Sequence, residues 1–144
     1  MKKIILVIMM IFLVGCEKQS LDLNKIGNIV NADIEDSMKL SNSEIEGIYN
    51  IDTSVFKNAT IYVDKKSESS NVYAIFEANS DYDSALLEAE YFMEQYKKNW
   101  NNANLKEEAN KIKNSKSLEY EDYIIYVVSE NANEAIEKIK ECTK

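Results

Sequence analysis

The chain has 144 residues, 45% of them hydrophobic, with 17 lysines, two cysteines and no arginine, histidine or proline. That is material for one small domain with a modest core. The missing histidines exclude imidazole acid–base chemistry, Ser-His-Asp triads, Cys-His dyads and His-ligated metal sites. The 25 acidic residues and net charge of −8 argue against a nucleic-acid partner, which needs a basic face.

Lys2 and Lys3 open the chain, and Ile4 to Leu13 are ten uncharged apolar residues. A spanning helix needs about 20, so this run reads as the apolar region of a signal peptide. It ends in Leu13-Val14-Gly15-Cys16, followed by the polar stretch Glu17 to Ser20. The pattern resembles the lipobox of bacterial lipoproteins. That resemblance implies cleavage before Cys16, diacylation of its sulfur and an address on the outer face of the cell membrane. Only a thiol forms the thioether to diacylglycerol, and two acyl chains make anchoring stable rather than marginal. The expected layout is a lipoprotein signal peptide over 1–15, a lipidated tether over 16–21 and a single domain over 22–144. Processing leaves 129 residues with 15 lysines and 25 acids, hence a net charge of −10. Anionic headgroups repel such a domain, which is expected to stand off the membrane on its tether.

No repeat, low-complexity tract or Pro/Gly linker divides residues 21–144. Ile26, Ile29, Val30, Ile34 and Met38 recur at helical steps, predicting a helix over 22–38. Ser43-Glu44-Ile45-Glu46 has capping-box spacing and opens a second, short helix. The period then changes to two. Ala59–Val63 and Val72–Phe76 predict a hairpin around the polar loop 65–71, with Ala59, Ile61 and Val63 facing inward. From Asp83 to Asn99 the helical period returns, and Ala85, Leu86, Ala89, Phe92, Met93, Tyr96 and Trp100 form one stripe. Residues 99–104 read as a loop and 105–112 as one or two helical turns. Residues 116–121 and 123–129 read as a second hairpin, whose run Tyr123–Val128 is apolar on both faces like a central strand. A last helix, 132–142, carries Ala132, Ala135, Ile136, Ile139 and Cys142 on one stripe. The order α-α-β-β-α-β-β-α predicts an α+β domain. Its expected form has two layers, a four-stranded, largely antiparallel sheet with helices on one face.

Ile48-Tyr49-Asn50-Ile51-Asp52, the strands and long helix after it, and Ile112-Lys113-Asn114 leading to Tyr123-Ile124-Ile125-Tyr126-Val127 resemble the clostridial-type lipoprotein family called domain of unknown function 4358. The resemblance spans roughly residues 40–140. It departs at Glu94–Trp100, where the family commonly has an Arg and a Tyr-Pro pair. It implies a fold and an extracytoplasmic address, with no catalytic residues to carry over.

Candidate chemistry is sparse. Cys142 lies on an apolar stripe at a helix C-terminus, where the dipole disfavours a thiolate, so it reads as a core residue. Asn79, Asp81, Asp83 and Glu90 follow the rhythm of a calcium loop, but Ser84 replaces the required Gly, and a helix cap at Asp81 or Asp83 explains the acids more simply. Glu119, Glu121 and Asp122 read as a solvated turn rather than a glycosidase pair. No catalytic residue, metal site or cofactor is assigned. Tyr62, Tyr73, Tyr120, Tyr123 and Tyr126 crowd the hairpins and would line the open sheet face if helices cover only the other. The function read from this pattern is a non-enzymatic, membrane-anchored module that binds an envelope protein or a small ligand. The alternative is a carboxylate-based enzyme or accessory factor acting on envelope polymers.

Overall fold

The computed structural model describes residues 18–101 and 104–144. The expected signal peptide and Cys16 lie outside the described residues. The elements in chain order are α1 (Leu23–Asp33), β1 (Ser37–Lys39), α2 (Asn42–Tyr49), a 3-10 turn (Thr53–Val55), β2 (Phe56–Asp64), β3 (Val72–Ala78), α3 (Tyr82–Trp100), α4 (Lys106–Lys113), β4 (Lys116–Tyr120), β5 (Tyr123–Val128) and α5 (Ala132–Lys140). The fold is α+β. Its sheet is antiparallel throughout, in the order β1-β2-β3-β5-β4.

Two expectations are corrected. The sheet has five strands, not four, because α1 stops at Asp33 and residues 37–39 pair with β2 (Ser37 opposite Asp64). Met38 continued the helical spacing only by coincidence, and it is exposed. The helices also cover both faces of the sheet, not one. Val72, Ala74, Phe76, Ile124, Tyr126 and Val128 pack against α2, α3 and α4. The alternate residues Tyr73, Ile75, Tyr123, Ile125 and Val127 pack against α1 and α5. β5 is buried at every position and β3 at all but Glu77, so each face needs its own apolar cover.

Local signals set the helix starts. The Asp22 carboxylate accepts from the Asn24 amide at 3.0 Å, and Asp81 accepts from the Ser84 amide at 3.1 Å. The capping box of α2 is Ser41 with Glu44, two residues earlier than predicted. Phe92 centres the larger core, with Tyr49 edge-on at 4.8 Å and Phe76 at 5.4 Å between ring centroids.

The expected tether is partly folded in. Leu21 is buried and bridges to Thr143. The Asp22 amide donates to the Cys142 carbonyl at 2.7 Å, and the Lys144 amide to the Ser20 carbonyl at 3.0 Å. Lys18 pairs with Asp122 at 2.6 Å. An apolar residue at position 21 has a slot in the second core, and its neighbours follow it down.

A polar network ties the β2–β3 loop to α3 and α4. Ser70 is fully buried. Its carbonyl accepts from Tyr96 Oη at 2.7 Å, and its amide donates to the Glu108 carboxylate. Lys111 pairs with Glu108 at 2.7 Å and reaches Asn71 Oδ1 at 3.0 Å. Burial pushes the Glu108 carboxyl up, but the bonds from Lys111 and Ser70 outweigh it and hold the group below its ordinary value. A carboxyl held low stabilises the fold above its unfolded value near 4.5 and loses that contribution as pH falls through the folded value. Glu108→Gln is therefore expected to cost about 1–3 kcal/mol at neutral pH and to flatten the acid-side fall in stability. Urea unfolding of both proteins across a pH series measures this; parallel curves would assign Glu108 no such role.

Candidate functional site

α1 and α5 lie antiparallel on one sheet face. The N-terminal end of α1 meets the C-terminal end of α5 through Asp22 and Cys142, and the opposite ends meet through Asp33 and Asn131. Between them opens a groove of about 340 Å3. Asn28, Ile29 and Ala32 form one wall, and Glu134, Ala135 and Lys138 the other. Its floor is Tyr73, whose ring is wholly buried.

The floor is chemically organised. Tyr73 Oη donates to Asp33 Oδ2, while Asn131 Nδ2 donates to Asp33 Oδ1 at 2.9 Å. Both carboxylate oxygens are thereby engaged where α1 ends and α5 begins. Burial, with Asp33 beside it, pushes the Tyr73 phenol well above its ordinary value, so it stays a hydrogen-bond donor. Lys138 and Glu134 form an exposed pair at 2.6 Å on the rim. Two acids and two amides can accept from a ligand's donors, and Lys138 can donate to an acceptor, against the apolar backing of Ile29, Ala32 and Ala135.

The tyrosines expected to line an open sheet face do not form a platform, because α1 and α5 cover that face. Tyr62 and Tyr73 are paired across β2 and β3, and Tyr120 and Tyr123 across β4 and β5. All four lie on the α1/α5 side. Tyr126 points the other way into the aromatic core, with Phe92 6.4 Å and Tyr96 6.3 Å away between centroids. Tyr73, Tyr123 and Tyr126 are buried, while Tyr62 and Tyr120 are half-buried. Tyr120 Oη donates to Gln19 Oε1 at 2.8 Å, and Tyr123 Oη accepts from the Leu21 amide at 3.2 Å. Of the five, Tyr73 alone lines the groove between the helices.

Asp33 and Asn131 were not singled out in the sequence. Asn131 opens α5 and so carried a local helix-start signal. Its bond to Asp33, 98 positions away, had none.

The remaining candidates are engaged structurally. Asp81 caps α3, and both its oxygens are held by Ser84. Glu119 accepts from Tyr82 Oη at 2.6 Å, and Glu121 is the left-handed residue (φ 53°) of the β4–β5 turn. Among the described residues no group of three or more His, Cys, Asp or Glu side chains is placed to hold a metal ion. Cys142 is buried beneath α1, and burial pushes its thiol up. Its Sγ lies 3.3 Å from the Lys138 carbonyl. Cys142 is therefore expected to react with thiol reagents slowly in the native domain and fast after denaturation. Stoichiometric labelling by a disulfide reagent within the mixing time would contradict this.

The chain matches no protein-family model, no curated protein and no solved structure.

Proposed function

We propose that this chain is a membrane-anchored, extracytoplasmic lipoprotein module without catalytic activity, which binds a small ligand in the groove between α1 and α5. The address rests on Leu13-Val14-Gly15-Cys16 after a short apolar run. Among the described residues, no helix is long and apolar enough to cross a membrane. The binding reading is carried by one observation: a groove whose floor is a buried phenol, Tyr73, locked to Asp33 and opening between two helices. With Asp33 and Glu134 against Lys138, it favours uncharged or cationic molecules rich in donors.

The non-catalytic reading rests first on the acids of the β4–β5 hairpin, where Glu119 accepts from Tyr82 Oη and Glu121 is the left-handed turn residue. A carboxylate enzyme needs a general acid whose carboxyl is raised by its surroundings. The displaced carboxyls Glu44, Asp52, Asp64, Asp81, Glu94 and Glu108 are all held below their ordinary values, chiefly by hydrogen bonds or a lysine.

Two measurements test this. Cys16→Ser is expected to move the protein from the membrane to the soluble fraction of cells and to abolish its acyl mass; a membrane-bound Cys16→Ser protein would remove the lipid anchor from the reading. For the groove, the mature chain is titrated with amino sugars and short diamines and followed by NMR. Shifts should concentrate at Asn28, Asn131 and Ala135, and Asp33→Asn should weaken binding about tenfold, the loss of one charge-assisted contact. Resonances of α1 and α5 unmoved by every probe would dismiss this groove as the site.

A further inference from the structure

We infer that the folded-in tether fixes which end of the domain lies against the lipid headgroups, and that the candidate groove consequently keeps its polar floor on the far side. The inference rests on the lipoprotein reading and goes beyond it to orientation and contact surface.

A lipid-anchored domain is free to tumble when its tether is slack and is held when the tether is short and bound. Here, among the described residues, the bound part is met first at Lys18, whose Nζ meets Asp122 in the β4–β5 turn at 2.6 Å. Gln19, Ser20, Leu21 and Asp22 each make a further hydrogen bond to the domain. Two residue steps separate Lys18 from Cys16, a span of at most about 7 Å of extended chain. An acylated Cys16 sits at the headgroup layer, so the β4–β5 turn is brought within contact of it.

The same end gathers the groups that meet headgroups. The Ala78 amide bonds to the Asp122 carbonyl, which places the end of β3 beside the turn. Lys57 at the start of β2 pairs with Glu77 at 3.0 Å, and its side chain remains 67% exposed. Lys57, Glu77, Asn58, Tyr123 and Lys144 surround a polar cavity of about 380 Å3 that opens next to Ser20. Lys18 and Lys57 pair with Asp122 and Glu77, which offsets locally the acidity that would drive the rest of the chain from an anionic bilayer. The partner this end fits is the phosphate and glycerol layer of the membrane itself.

β3 gives the scale of the domain along this axis. Six steps from Ala78 to Val72 cover about 20 Å, and the 65–71 loop lies beyond. Tyr73, Asp33 and Asn131 are at that far end. The floor of the groove thus lies at the end of the domain far from the bilayer.

The test uses the full mature, acylated chain in vesicles of phosphatidylglycerol and phosphatidylcholine that carry a headgroup-spin-labelled lipid. A fluorophore is placed at Lys144→Cys or at Ser67→Cys, two exposed end positions whose side chains make no hydrogen bond among the described residues. Strong quenching at Lys144→Cys, at least about threefold above that at Ser67→Cys, is expected from the steep distance dependence over about 20 Å. Equal or reversed quenching in protein that co-sediments with the vesicles overturns the orientation while leaving the anchor standing. Protein that carries no acyl mass and fails to sediment overturns the lipoprotein reading, and the orientation with it. Inserting about ten Gly/Ser residues between Glu17 and Lys18 makes the tether slack and is expected to erase most of the difference; an undiminished difference would show that the tether does not set the orientation.

Discussion

The structure depends on two adjacent strands that have no polar face. β3 and β5 pair along their length, Val72 opposite Val128 through Glu77 opposite Tyr123, and of the residues in them only Glu77 escapes burial. A sheet with such a centre cannot leave one side to water, since each large side chain left exposed forfeits about 1.5–3 kcal/mol. The remaining elements answer that demand. α3 lays its stripe of Ala85, Ala89, Phe92 and Tyr96 over one side with α2 and α4. α1 and α5 close the other with Ile26, Val30, Ala135, Ile136 and Ile139.

The second layer also explains why a groove exists at all. α1 and α5 touch at both ends, through Asp22 with Cys142 and through Asp33 with Asn131. Along the middle they present small or polar residues to each other: Asn28, Ala32 and Ala135. Two helices pinned at their ends over small residues leave a trough, and a partner for the phenol beneath it avoids the cost of an unpaired buried hydroxyl. Tyr73 finds Asp33. Tyr126, on the opposite face, shows the contrast: among the described residues its hydroxyl has no hydrogen-bond partner, and its ring is held by aromatic packing.

The elements were legible wherever the chain's own periodicity spoke. The α3 stripe, the Tyr123–Val128 strand, the two hairpins and the α5 stripe all lie where local pattern placed them. What escaped was what depends on distant partners. β1 is three residues long and exists only because β2 extends to Asp64 and offers an edge. The covering of both faces was already implicit in a strand that is apolar throughout, yet the count of strands and helices was compatible with a single layer. Placing α1 on the sheet requires knowing that Leu21 and Thr143 meet. The sequence leaves the tyrosines open, because aromatic strand residues suit either a half-buried or a recognition role. Tertiary cover decided between them, and Asp33 drew its importance from a partner 40 positions away, Tyr73.

On the proposed reading, anchoring and binding are parts of one arrangement. Leu21, buried in the second core, draws residues 18–20 onto the end of the domain where α1 begins and α5 ends. α1 then carries the chain away from that end for eleven residues, about 16 Å at helical rise. It delivers Asp33 to the opposite pole, where α5 begins. The helix that starts at the tether therefore finishes at the floor of the groove. A bilayer contact at Lys18 and a ligand contact at Asp33 would bear on the two ends of one rigid rod, and the rod's length would then hold an anionic surface about two Debye lengths from the site at physiological salt. A cationic ligand could then be drawn by Asp33 and Glu134 without competition from the headgroups.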